Sequence, residues 1–147
     1  MGPLTLERSA TPARRSSSST ISTPRSRTPS PRRCGVEVVL DDQPVVLKTR
    51  TKTIVNVPYT QECNDIAMML IQHHEAGEYY RRAMDQFEQL YADSRDSARV
   101  MALVVHPYVM GAPHRAKYYR RALQDIHAHK DVLFWTGEQI LDWYLNH

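Results

Sequence analysis

The stretch MALVVHPYVMGAP, residues 101 to 113, decides the fold class of this chain. The apolar run 99–105 lacks the alternation of a half-exposed strand, so it predicts a strand of a parallel sheet that is covered on both faces. His106-Pro107 ends the run, because proline lacks the backbone N–H that a sheet requires. We expect Gly111 to adopt a left-handed turn and Pro113 to begin a helix.

Helical and strand patterns alternate around this stretch, which is typical of α/β folds with parallel strands. The apolar run VLFW (132–135) predicts a second short buried strand. Thr136 stands three residues before Gln139, which predicts a capping box at the start of a last helix. Helical spacing predicts the following core-facing residues: Ile66, Met69, Leu70 and His73 in one helix, Tyr80, Ala83, Met84, Phe87 and Tyr91 in the next, and Ala116, Tyr119, Leu123 and Ile126 in the third.

The upstream part of the sequence adds two β-branched runs, at 36–40 and 53–57, which resemble a hairpin. Residues 35–147 then offer about four strands and four helices, whereas a complete parallel barrel takes about 250 residues. We therefore expect this part to be a portion of a larger fold.

Residues 1–35 have a different composition and are expected to be disordered. Five of the nine prolines fall here, and seven arginines against one glutamate give a net charge of +6, so the remaining residues carry −3. Such a segment buries too little apolar surface to offset its ordering entropy. It could accept proline-directed phosphorylation at Thr23, Thr28 and Ser30, act as a transit peptide, bind RNA or an acidic partner weakly, or be an unselected tail, which we favour.

Composition also excludes several classes of function for the second segment, residues 36–147. Because the basic charge belongs to the first segment, nucleic acid is not an expected partner. No apolar run approaches the roughly 18 residues that would span a bilayer, so no membrane association is expected. The two cysteines, Cys34 and Cys63, form no CxxC pair, which favours a reducing compartment and a cytoplasmic location.

His106 is the strongest candidate for chemistry from position alone. Catalytic groups of parallel α/β folds collect where strands end, and a histidine placed there suits general acid catalysis. A histidine that merely satisfies the backbone at a strand end fits the local pattern as well. The other histidines form no HxxxH or HExxH motif, so no local motif predicts a metal site. The pair Asp41-Asp42 is more typical of a solvated or turn-capping element than of a metal site.

Several segments recur in a fixed order that resembles a known family. The similarity covers residues 38–147, and VVHPYVMGAPHR is its most specific part. Together these segments resemble the C-terminal third of the polysaccharide deacetylases, in the branch close to the cofactor-free, allantoinase-like enzymes. The segments are LDDQP (40–44), LKTR (47–50), IVNVPYTQECND (54–65), FEQLY (87–91), MALVVHPYVMGAPHR (101–115) and RALQDIHAHKDVLFWTGEQILDWY (121–144).

This resemblance implies an α/β fold that is the C-terminal portion of a deformed (β/α) barrel, truncated relative to the family. It implies hydrolysis of C–N bonds other than peptide bonds, in sugar N-acetyl amides or a cyclic amide such as allantoin, within carbohydrate metabolism. His106 matches the family's late acid. The residues implied to line the substrate cleft are Asn64, Asp65, Pro107, Tyr108 and Arg115.

The resemblance also shows what this chain lacks. The family's leading Asp base and its HxxxH motif, which together with an Asp binds a divalent metal such as zinc in full-length relatives, have no counterpart here. We therefore assign no metal ligand, expect no cofactor in this chain, and expect it to be inactive alone. The expected partners are a small-molecule or sugar amide substrate and a second copy joined through exposed sheet edges. The alternative is a non-catalytic interaction or regulatory protein with a phosphorylatable disordered arm.

Overall fold

The computed structural model describes residues 42–147 together with the backbone of two short strands, β1 (Leu4–Leu6) and β2 (Cys34–Gly35). The predicted strand 36–40 and the candidate phosphorylation residues of the first segment lie outside the described residues. The remaining strands are β3 (Val45–Lys48), β4 (Thr53–Asn56), β5 (Arg99–Met101) and β6 (Val132–Leu133). The helices are α1 (Ala76–Asp93), α2 (Pro107–Met110), α3 (Pro113–His127) and α4 (Gly137–Asn146).

The first sheet has the order β2-β4-β3. β4 pairs in parallel with β2 and antiparallel with β3, where Val46 lies opposite Val55. The Thr49 hydroxyl donates to the Lys52 carbonyl oxygen at 2.8 Å and stabilises the turn between β3 and β4. The hairpin partner of β4 is therefore β3, which the sequence pattern did not predict, while the predicted strand at 53–57 is confirmed.

The second sheet has the order β5-β1-β6, and β1 is antiparallel to both of its neighbours. β5 and β6 therefore run parallel to each other, as the alternating pattern predicts, but they are not adjacent. β1 and β2 fall within the segment 1–35 that is expected to be disordered, and the rest of that segment lies outside the described residues.

The apolar run 99–105 forms strand structure in two pieces. After β5 ends at Met101, the chain pairs again at Val104, which forms a parallel bridge with Asn64. The Val104 amide donates to the Cys63 carbonyl oxygen at 2.9 Å, and the Asp65 amide donates to the Val104 carbonyl oxygen at 3.2 Å. Residues 100–104 are all buried, which confirms the prediction of a strand covered on both faces.

The main core lies between α1, α3 and the run 99–105. The buried face of α1 is Tyr79, Ala83, Phe87 and Leu90, whereas the predicted residues Tyr80, Met84 and Tyr91 are only partly buried. The predicted stripe is thus rotated by about one residue toward Tyr79. The buried members of this core are Cys63, Ala83, Phe87, Leu90, Met101, Leu103, Ala122 and Ile126.

The segment Ile66–Ile71 is a wide helical turn, and its predicted core-facing residues are only partly correct. The Gln72 amide donates to the Ala67 carbonyl oxygen five residues back, so the turn is wider than an α-helix. Met69 is buried as predicted, and Ile66 is partly buried, whereas Leu70 is exposed and the unpredicted Met68 is buried. His73 is also exposed and adopts φ 56°, which ends the turn. Widening changes the angular spacing of the side chains, so a 3.6-residue pattern misplaces part of the buried face.

The start of α4 agrees with the sequence prediction. The Gln139 amide donates to the Thr136 hydroxyl at 3.3 Å, and the Thr136 amide donates to the Gln139 side chain at 2.8 Å. This is the predicted capping box. It directs α4 so that Ile140 is buried against Val57 and Val100.

Candidate functional site

Asp65 and His106 form a hydrogen-bonded pair at the centre of the candidate site. The His106 backbone N–H donates to Asp65 Oδ2 at 2.7 Å, and His106 Nδ1 lies 2.7 Å from Asp65 Oδ1. The Asp65 side chain is fully buried, whereas the His106 side chain is 31% exposed. One side of the imidazole is therefore fixed by the carboxylate, and the ring still reaches the surface.

The parallel bridge between Asn64 and Val104 explains why these two side chains meet. Asp65 follows Asn64 directly, and His106 comes two residues after Val104. Since parallel segments end at the same edge of a sheet, the residues that follow them are placed side by side. A local sequence pattern does not reveal this register, because Asp65 and His106 lie forty-one positions apart in the chain.

Tyr79 of α1 supports the same pair of segments from the core side. Its hydroxyl lies 3.4 Å from the Cys63 carbonyl oxygen and 3.3 Å from the Val104 carbonyl oxygen, so it donates across the bridge. The side chain is fully buried, and burial raises the pKa of its phenol, which keeps the proton in place. Sequence analysis missed this residue. The spacing of Tyr79, Ala83 and Phe87 at i, i+4 and i+8 is the signal that could have found it.

The geometry restricts the proton positions on His106. An ionised carboxylate only accepts hydrogen bonds, so the close contact with Asp65 Oδ1 assigns the proton to Nδ1. The other ring nitrogen, Nε2, is then the one that can hold or release a proton toward a ligand. This arrangement, a histidine oriented by a buried carboxylate, suits general acid–base catalysis.

Pro107 and Tyr108 lie next to His106 on the first turn of α2. Pro107 occupies the first turn, and His106 precedes it in an extended conformation with φ −113° and ψ 130°. The Tyr108 side chain is 72% exposed, and its ring centroid lies 5.7 Å from that of His106. An exposed aromatic ring beside a histidine offers a surface on which a ligand could pack.

Gly111 ends α2 with φ −70° and ψ −11°, so the predicted left-handed turn is wrong. The glycine is required for a different reason. A Cβ at this position would lie 2.2 Å from the Pro107 carbonyl oxygen, which accepts the Gly111 N–H at 3.0 Å. Pro113 begins α3 as predicted.

Of the other predicted site residues, Asp65 contacts the imidazole of His106, whereas Asn64 and Arg115 form hydrogen bonds with other groups. Asn64 uses its side-chain oxygen to accept the Ile66 amide at 3.0 Å, so it stabilises the start of the wide turn. Arg115 donates to the Val109 carbonyl oxygen at 3.2 Å, and it lines a cleft whose lining does not include His106. Asp65, predicted to line the substrate cleft, is buried with both carboxylate oxygens engaged by His106.

In the described part of the chain, no group of three or more His, Cys, Asp or Glu side chains is arranged so that it could hold a metal ion. Asp42 instead forms an ion pair with Arg99 at 3.2 Å. His129 packs edge-on against Phe87, with ring centroids 4.7 Å apart. No helix in this part is long and apolar enough to cross a membrane.

Cys63, two residues before Asp65, lies in the main core and is not suited to act as a nucleophile. It is fully buried, and its thiol lies 2.8 Å from Gln86 Oε1. Burial raises the pKa of this thiol from 9.0 to about 12. The thiol therefore remains protonated at neutral pH, and the side chain packs in the main core.

Comparisons with known proteins identify the fold. No protein-family model matches the chain, and no curated protein matches it. Its structure is similar to that of a probable polysaccharide deacetylase from Pseudomonas aeruginosa PAO1, with a TM-score of 0.70 and 24% identity. It is also similar to Puue allantoinase, with a TM-score of 0.71 and 22% identity. Each match covers 78% of this chain and 39% of the solved chain.

These likenesses confirm the predicted fold class. The chain has a deacetylase-like fold and corresponds to part of a (β/α) barrel, spanning about two fifths of the length of the solved chains. The two structural neighbours are named as a probable polysaccharide deacetylase and an allantoinase.

Proposed function

We propose that His106 is the general acid of a site that hydrolyses C–N bonds other than peptide bonds. The observation that carries this proposal is the pair of 2.7 Å contacts by which the buried Asp65 fixes His106. Support comes from the names of the two structural neighbours, a probable polysaccharide deacetylase and an allantoinase. The proposed substrates are accordingly N-acetylated sugars or a cyclic amide.

The chemistry of the step follows from the orientation of the ring. When an amide is hydrolysed, water adds to the carbonyl carbon, the C–N bond breaks, and the leaving nitrogen must gain a proton. His106, protonated at both ring nitrogens, donates the Nε2 proton to that nitrogen. Asp65 stabilises the imidazolium through Nδ1 and prevents the ring from turning. Positioned acid catalysis of this kind contributes about 10²–10⁴-fold.

Addition of water also needs a base, and Asp65 does not suit this role. It is the only side chain of residues 42–147 that is hydrogen-bonded to His106, and it is buried away from an incoming water. We therefore propose that this chain alone does not turn over substrate, and that the base comes from chain outside the described residues or from another protein.

Activity measurements test both parts of the proposal. The full chain is incubated with chito-oligosaccharide or with allantoin, with and without zinc, and release of acetate or ring opening is followed. We expect no turnover. Turnover that is lost in His106→Ala and kept in His114→Ala would support the role of His106 and contradict inactivity of the chain alone. Turnover that is equal in both variants would contradict the general acid assignment.

Ligand binding gives a second readout that does not depend on turnover. We expect chito-oligosaccharide or allantoin to shift the imidazole Cε1–H resonance of His106 in NMR spectra, because the exposed part of the ring faces the ligand. His127, an exposed histidine at the end of α3, provides the matched control resonance. Saturable shifts at His106 that are absent at His127 support the proposal, and equal or absent shifts at both argue against it.

A further inference from the structure

A cleft of about 390 Å³ lies beside the N-terminal ends of α1 and α3, and the proposed function does not use it. His106 is not among its lining residues. Its volume falls within the range of small-molecule sites, roughly 300–1,000 Å³. Four of its lining residues carry or can carry positive charge, and Glu75 is the only acid among them. The four are His74, His114, Arg115 and Lys117.

The two permanent cations of this cleft are not neutralised by carboxylates. Arg115 donates to the Val109 carbonyl oxygen, and the Lys117 ammonium lies 4.8 Å from the centroid of the Tyr118 ring. Within residues 42–147, neither forms a salt bridge. Elsewhere in the same part of the chain, by contrast, Arg81 pairs with Glu78 and Asp85. The cleft therefore concentrates unpaired positive charge.

The first turn of α1 adds to this potential. Ala76 and Gly77 both line the cleft, and the N-cap residue Glu75 makes no side-chain hydrogen bond to the first turn of this 18-residue helix. Backbone N–H groups at a helix N-terminus and the helix dipole both favour an anion. The nearest atom to a Cβ placed at Gly77 would belong to the Tyr118 ring, at 3.6 Å, so this ring lies beside the first turn.

We infer that this cleft binds the oxyanion group of a small ligand, a phosphate or a carboxylate. Arg115 and Lys117 provide the charge, and the first turn of α1 provides N–H donors. Tyr118 supplies an aromatic wall for the rest of the ligand. This inference is independent of the proposed hydrolytic role, because it uses neither Asp65 nor His106.

The test is an NMR titration of the full chain with two probes, inorganic phosphate and acetate, at constant ionic strength. We expect saturable amide shifts at Gly77 and Lys117. Loss of one charge–oxyanion contact in Lys117→Gln should weaken binding about tenfold, since such hydrogen bonds are the strong ones. Lys130→Gln, which alters an exposed lysine outside the cleft, is the matched control and should leave the affinity unchanged.

The outcomes separate the two sources of the oxyanion. Saturation by phosphate alone assigns a phosphorylated ligand, and saturation by acetate alone assigns a carboxylate. The inference is overturned if neither probe saturates, or if Lys117→Gln and Lys130→Gln weaken binding equally. Arg115→Gln is a second variant and should weaken oxyanion binding by the same factor as Lys117→Gln. Thermal unfolding checks that this variant keeps the fold although it loses its hydrogen bond to Val109.

Discussion

The Asp65 carboxylate binds His106 twice, once at the backbone N–H and once at Nδ1 of the ring. The backbone contact fixes where α2 begins, and the ring contact fixes the direction of the imidazole. One buried side chain thus determines both the position and the orientation of the candidate acid.

We expect Asp65→Ala to reduce the free energy of unfolding by about 1–3 kcal/mol, because it leaves the His106 N–H without its acceptor. His106→Ala removes only the ring contact and should cost less. Urea unfolding measures both costs, and hydrogen exchange at the residue 106 amide distinguishes them. Exchange should accelerate in Asp65→Ala and stay slow in His106→Ala. Equal protection in the two variants would contradict the backbone contact.

Tyr79→Phe removes the hydroxyl that donates to the Cys63 and Val104 carbonyl oxygens, across the bridge between Asn64 and Val104. The expected loss in unfolding free energy is about 0.5–1.5 kcal/mol, the net value of one hydrogen bond. Amide exchange at Val104 and Asp65 should accelerate, because the same bridge holds both. Tyr144→Phe in α4 is the matched control, and it should leave exchange at these two amides unchanged. Similar effects of the two variants would argue against a specific role of the Tyr79 hydroxyl.

Gly111→Ala should destabilise the fold by about 1–3 kcal/mol, because the added methyl group would overlap the Pro107 carbonyl oxygen and force α2 to shift. Gly77→Ala is the matched glycine substitution. There the methyl group meets the Tyr118 ring at 3.6 Å, an ordinary contact, and alanine favours the helix by about 0.5–1 kcal/mol. Thermal unfolding should therefore move in opposite directions for the two variants, and a common direction would contradict the local geometry.

Cys63 gives the chain a pH dependence in the alkaline range. Its pKa is raised to about 12 in the folded chain, above the ordinary value of 9.0, so the unfolded state releases the proton first. The contribution of this thiol to the free energy of unfolding is fully present below pH 9 and is lost as pH rises toward 12. Over this range the free energy of unfolding decreases by at most about 1.4 kcal/mol per pH unit because of this group. Urea unfolding over this range should show a shallower pH dependence in Cys63→Ala, and an unchanged slope would contradict the shift.

Patterns local in sequence predicted much of this fold. The amphipathic helices α1 and α3, the buried run 99–105 and the capping box of Thr136 depend on neighbours within one or two helical turns. The predicted buried face of α1 differs by about one residue from the observed one, because aromatic residues lie on both of the neighbouring stripes. The wide turn Ile66–Ile71 was not predicted, because the 3.6-residue spacing of apolar residues does not indicate hydrogen bonds that join residues five positions apart.

The candidate site was only partly predictable. His106 was found from its position after a buried strand, and Asp65 from the family resemblance. Their contact depends on the register between two segments distant in sequence, which pattern analysis does not give. The buried position of Asp65 likewise follows from packing, so an acid expected to face the substrate is an internal partner of the histidine.

The position of β1 between β5 and β6 has a consequence for the kinetics of folding. Leu6 pairs with Arg99 and with Val132, so more than ninety residues separate the partners along the chain. During synthesis, β1 emerges before β5 and β6 and can pair only after both of these strands have been made. Closure of so long a loop carries an entropy cost that grows as the logarithm of its length, and contacts of high sequence separation form slowly. The helices can form locally, whereas completion of this sheet belongs to the last step of folding.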